Sequence, residues 1–182
     1  MQFARKVLNH VFHDDVRCFY LVESNVCPAS REGFKTKLQE DEYFESDFIN
    51  ASEEQCKSWA LEKEFQVNFI EQDLIAIVDA RSARDETILM CHYNYLRDPG
   101  DGLEFGDFGV LPREPNVWYD FRIDYRGAHM VCVALHYVPP DLSYPAYFGC
   151  KEKFTDEHGV FDVQKALRYG LDPDGSETQV EP

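Results

Sequence analysis

The sequence is short of positive charge, and the shortage is local. Its 182 residues hold 18 lysines and arginines against 34 aspartates and glutamates, a formal net charge of −16. Phosphate contacts need lysine and arginine, so the composition argues against direct DNA or RNA binding. Long apolar runs are missing too. The longest, residues 74–78 and 130–135, fall far short of the roughly 20 residues that cross a bilayer. Asn9, His10 and His13 interrupt the segment after Arg5 and Lys6, where a secretory signal would be continuously apolar. A soluble cytoplasmic protein is the expectation, with no membrane partner.

The six cysteines (Cys18, Cys27, Cys56, Cys91, Cys132, Cys150) contain no Cys-x-x-Cys pair and are unevenly spaced. Neither a disulfide framework nor a metal cluster is indicated, and Cys18, Cys91 and Cys132 sit in apolar runs as small hydrophobes would. The signatures of common chemistries are absent as well. There is no glycine-rich phosphate loop before a helix, no Gly-x-Ser-x-Gly and no His-Glu-x-x-His. The Asp98–Glu104 segment lacks EF-hand spacing, and His10 and His13 before Asp14 and Asp15 are accounted for as polar side chains facing water. No metal and no cofactor is expected. His92 and His136 sit in the interiors of expected strands and read as core histidines satisfied by a backbone partner rather than as ligands or bases.

What the chain has is material for one core. A domain near this length buries roughly 70% of the surface its unfolded chain exposes, and 44% of the residues are apolar, 14% aromatic. The acids are concentrated. Glu40, Asp41, Glu42, Glu45, Asp47, Glu53 and Glu54 occupy 40–54; Asp98, Asp101, Glu104 and Asp107 occupy 98–107; four more lie from Asp172 to the end, and none of the three stretches contains a base. Outside them 19 acids face 18 bases. Tyr43, Phe44 and Phe48 interleave the first stretch, Phe105 and Phe108 the second. Aromatic anchors beside carboxylates suit an interface with a basic protein partner, the aromatics supplying affinity and the charges steering the encounter. Solvated loops are the plainer explanation of the same pattern. For 172–182 an acidic, disordered tail is expected, leaving 1–171 as one domain.

Periodicity predicts an α+β fold. Phe3, Ala4, Val7, Leu8, Val11 and Phe12 share a helical face. Val16 to Val22 reads as a strand, Ser30 to Gln39 as a short helix, and Ser52 with Gln55 opens a better helix by capping-box spacing. Residues 65–69, 74–78 and 87–95 read as meander strands, 98–116 as a long acidic loop, and a closing helix lies within 156–169, stopped by Gly170. Residues 117–125 and 128–138 look like two strands joined by Arg126-Gly127, glycine providing a positive φ. The expected sum is N-terminal helices, a central antiparallel sheet of about five or six strands, and a C-terminal helix.

The hairpin would gather Asp120, Arg122, Asp124 and His129 on one face with Trp118. Carboxylates near a histidine can divide acid and base roles, and a pocket at 117–138 would make the chain an enzyme or small-ligand domain. An exposed sheet face, with an Asp124–His129 cross-strand pair and Arg122 bridging two aspartates, is the preferred reading of the same residues. The leading expectation is an acidic protein-binding module of the immunity-protein, nuclease-inhibitor or nucleic-acid-mimic type.

Overall fold

The computed structural model describes residues 2–11, 19–39, 42–63, 72–95 and 102–172. It is mixed helix and sheet, with a short helical turn, α3 (Ser82–Asp85), between the first two strands. A three-stranded antiparallel sheet is formed by β1 (Leu74–Ile77), β2 (Thr87–Tyr93) and β5 (Trp118–Asp124), in that order, and a two-stranded ribbon by β3 (Leu103–Glu104) and β4 (Val110–Leu111). The expected sheet of five or six strands is thus two smaller ones among the described residues, and the 65–69 run lies outside them. Val16–Val22 is not a sheet strand where it is described: Leu21 makes only an isolated bridge to Lys35. The Ser30–Gln39 segment forms one 3-10 turn, Arg31–Gly33.

The predicted 117–138 hairpin is overturned. Its first half is β5, but its second half is a helix, α4 (Ala128–His136), entered through Gly127 at φ −83°. No positive φ exists there to turn a hairpin. Ala128, Val131, Cys132 and Leu135 are buried and recur at i, i+3, i+4 and i+7, one helical face. A continuous apolar run carries no period of its own, so strand and buried helix look alike in sequence. The partner of β5 is β2, with Ile123 opposite Ile88 and Phe121 opposite Met90.

Alternation along β5 decides the layers. Phe121 and Ile123 are fully buried and face α4, α5 (Pro140–Tyr144), the π-helical turn Pro145–Gly149 and α6 (Val163–Leu171). Phe121 meets Tyr147 and Phe161 edge-on at 5.5 and 5.3 Å, the geometry that aromatic quadrupoles favour. α6 does not stop before Gly170 but runs through it to Leu171, with Asp162 accepting the Lys165 N–H at its start. A side chain at Gly170 would place its Cβ 2.1 Å from the Leu142 carbonyl oxygen. Glycine is therefore required where α5 and α6 touch. The segment before α6 also reaches β5, since the Phe161 N–H donates to the Arg122 carbonyl at 2.7 Å.

The opposite face of β5 presents Trp118, Asp120, Arg122 and Asp124. α2 (Glu53–Lys63) lies here, its capping box formed as the spacing predicts: the Gln55 N–H donates to Ser52 Oγ at 3.2 Å and the Ser52 N–H to Gln55 Oε1 at 2.7 Å. α1 (Gln2–Val11) buries Val7 and sets Phe3 edge-on to Tyr125 at 5.6 Å. No helix among the described residues is long and apolar enough to cross a membrane.

Candidate functional site

Of the proposed docking residues, Glu40, Asp41, Asp98 and Asp101 lie outside the described residues. The rest fall into two groups. Residues 42–51 are laced to 22–26: Ser46 Oγ donates to the Val22 carbonyl (2.9 Å), the Asp47 N–H to the Glu23 carbonyl (2.9 Å), and the Asn25 N–H to Asp47 Oδ2 (2.9 Å). Trp59 of α2 donates from Nε1 to the Asn25 carbonyl at 2.9 Å and stacks edge-on with Phe48 at 5.2 Å. These contacts frame an open groove of about 570 Å³. Val26 and Ile49 line it while 70% and 57% exposed, and Asp47 and Glu62 stand in its walls. Tyr43 is exposed and Phe44 half-buried.

Some of the charge here is already matched. Lys35 bridges Glu23 and Glu42 at 2.7 and 2.6 Å, and Lys57 pairs with Glu53 at 2.5 Å. Glu45 and Glu54 are exposed and have no cationic partner among the described residues. The second group, Glu104, Phe105 and Asp107, belongs to the β3–β4 ribbon, where Phe105 packs on Tyr144 at 5.8 Å and Phe108 fits against Gly149. α5 and the π-helical turn are on the other side of the sheet from α2. The described acids of the two stretches therefore belong to opposite faces, and they do not form one patch.

The four chemistry candidates are dispersed. Asp120 accepts from Lys57 at 2.7 Å. Arg122 turns to Asp79, Nη1 to Oδ1 at 3.1 Å and Nη2 to Oδ2 at 2.5 Å. Asp124 holds Arg126 through backbone and side chain. His129 stands in the first turn of α4, so the cross-strand Asp124–His129 pair does not exist. Arg122 bridges no pair of β5 aspartates. The Cys91 thiol lies behind Asp120 and Lys57, and burial first, then the Asp120 charge, push it well above the usual thiol range. It stays protonated and is a poor nucleophile. A second open groove runs from Asp124–Gly127 to Lys153 and Lys165.

The sequence reading missed a third cluster. Asp73, immediately before β1, His92 of β2 and His136, the last residue of α4, offer ligand atoms that all lie within 4.8 Å of one another. Antiparallel pairing sets Leu74 opposite His92, which puts Asp73 beside it, and the Tyr93 N–H donates to the Asp73 carbonyl at 2.7 Å. His136 Nε2 is 3.6 Å from Asp73 Oδ1, and the two imidazole centroids are 6.1 Å apart. The backbone partner expected of a core histidine is missing at His92 Nδ1 among the described residues. His92 is 6% exposed. Burial, then the neighbouring His136, lower its pKa to about 4, so it is neutral at pH 7. No local spacing could reveal this group, because the fold draws its members from three separate elements.

Compared with known proteins, the chain matches no family model, no curated protein and no solved structure.

Proposed function

We propose that this chain is a protein-binding module that docks a basic segment of a macromolecular partner in the groove between residues 25–26, 47–51 and α2, in the manner of an immunity protein, nuclease inhibitor or nucleic-acid mimic. The observation that carries the reading is exposed apolar surface, Val26 and Ile49, in one groove, with Ile49 inside the 40–54 stretch that holds seven acids and no base. Lysine and arginine suit such a groove because their aliphatic stems cover apolar surface while the charged heads reach carboxylates. Asp47 and Glu62 are in the walls, and Glu45 and Glu54 extend the negative field along the same segment. The ribbon acids Glu104 and Asp107, with Phe105, form a separate patch on the far face.

The reading includes a single domain over 1–171, an acidic tail beyond it, and a reducing, cytoplasmic setting. Five free cysteines among the described residues support that setting. The alternative, an enzyme or small-ligand pocket at 117–138, has less support because Asp120, Arg122 and Asp124 each already hold a cation or an anion.

Calorimetric titration with a lysine- and arginine-rich peptide tests the proposal, with an acidic peptide of equal length as control. Binding is expected for the basic peptide alone and is expected to weaken at least tenfold between about 50 and 300 mM salt, as screening shortens the field. Glu45→Lys with Glu54→Lys removes the attraction, and Ile49→Ser weakens it. Binding that ignores salt and both changes removes the basis of the reading.

A further inference from the structure

We propose that Asp73, His92 and His136 form a binding site for a single divalent transition-metal ion of the zinc class, independent of the acidic groove. Two imidazole nitrogens and one carboxylate oxygen already converge to within 4.8 Å. A tetrahedral zinc ion, with bonds of 2.0–2.2 Å, holds its ligand atoms about 3.4 Å apart. The Asp73–His136 contact of 3.6 Å is near that spacing, and a combined inward shift of about 1.4 Å closes the widest gap the cluster allows.

Burial adds the second argument. Leaving a polar atom inside a protein without a partner costs about 1–3 kcal/mol, and His92 Nδ1 is such an atom. An ion bound through Nδ1 would give it a partner. Asp73 is a third exposed at its side chain while His136 is 10% exposed, so the site has one wet side and a dry floor made by His92 and Phe148, whose rings are 5.9 Å apart. A neutralising carboxylate on the wet side is the natural point of arrival for a cation.

The donor set selects the ion. Magnesium and calcium require oxygens, six or more of them for calcium, whereas imidazole suits zinc, copper, iron and nickel. Three protein ligands leave a fourth tetrahedral position for water, the pattern of catalytic rather than structural zinc. The Tyr144 phenol adjoins this side: its pKa is raised by burial and then by the Asp73 charge.

The experiment titrates the chelator-treated full chain with Co²⁺ alone, following the visible bands of nitrogen- and oxygen-ligated cobalt, and then displaces it with Zn²⁺ alone. One ion per chain is expected, at micromolar affinity or better. His92 is set in the central strand and its removal can unfold the chain, so the variants are Asp73→Asn and His136→Gln, with retained folding checked by circular dichroism. Each is expected to lower affinity at least tenfold, while His158→Gln, at an exposed position remote in sequence, changes it less than twofold. Absence of saturable one-to-one binding, or binding that survives either ligand substitution, overturns the proposal. A failure of the peptide titration leaves this result untouched, because the two sites share no residue.

Discussion

Arg122 grips Asp79 through two parallel hydrogen bonds, Nη1 to Oδ1 at 3.1 Å and Nη2 to Oδ2 at 2.5 Å, tying the outer face of β5 to the turn that follows β1. Asp79 Oδ1 also accepts from the backbone N–H and hydroxyl of buried Ser82, at 2.9 and 3.0 Å. Burial alone would raise the Asp79 pKa, but the Arg122 and Ser82 hydrogen bonds outweigh it and hold the carboxyl at about 2. The folded value lies below the unfolded one, so the pair stabilises the fold at neutral pH and the contribution is lost as pH falls from about 4 to about 2. Asp79 is 37% exposed, so solvent limits the effect of the charges to about 1 kcal/mol. Asp79→Ala should lower the urea midpoint at pH 7, with the gap to wild type shrinking toward pH 2. A gap that is constant with pH would show that charge plays no part.

Gly170 gives a prediction of opposite sign to the usual rule. In an exposed helix Gly→Ala stabilises by about 1 kcal/mol. Here the new methyl would sit 2.1 Å from the Leu142 carbonyl oxygen, and forcing α5 and α6 apart should cost about 1–3 kcal/mol. Thermal unfolding decides it: a Gly170→Ala protein that melts above wild type contradicts the close approach of the two helices.

The capping box at α2 is a smaller, separable effect. Ser52→Ala leaves the Gln55 N–H without its acceptor and should destabilise the protein by about 1 kcal/mol, with Ser52→Asp largely restoring it. Chemical denaturation of the three proteins gives the comparison, and equal stabilities would mean that the start of α2 frays in solution.

Thiol reactivity offers a probe of the sheet. Half-buried Cys27, Cys56 and Cys150 should be alkylated in the native protein before fully buried Cys91, whose thiol is held protonated by burial and by Asp120. Mass spectrometry after timed alkylation should find Cys91 modified only when denaturant opens the fold. Modification at the rate of Cys150 under native conditions is incompatible with its place between β1 and β5.

Local signals carried much of the architecture. Alternation and β-branching located β1 and β2, the Ser52–Gln55 spacing located α2, and the amphipathic pattern located α1. The largest error has one cause. Val131, Cys132, Val133, Ala134 and Leu135 form an unbroken apolar run, and only the tertiary context, a sheet face already paired through β2, makes it a helix. That single misreading hid the candidate metal centre. In the imagined hairpin His136 lies opposite Val117; as the end of α4 it arrives beside His92. The docking groove was legible in part, since its charge and aromatics are consecutive in the chain, but its Val26 wall is set by the neighbouring Asn25, which donates to Asp47 and accepts from Trp59, contacts that no spacing rule encodes. The separation of the two acidic stretches by the sheet was invisible for the same reason.

β5 is the outermost strand of its sheet among the described residues, and outermost strands invite other chains to zip alongside. The Phe161 amide, by occupying the Arg122 carbonyl, breaks the row of free backbone acceptors near the strand's middle, and Phe161 is itself anchored in the aromatic core. Self-templated growth along that border therefore requires prior withdrawal of the 155–161 segment, so resistance to fibril formation should be only as durable as the seating of one phenylalanine ring.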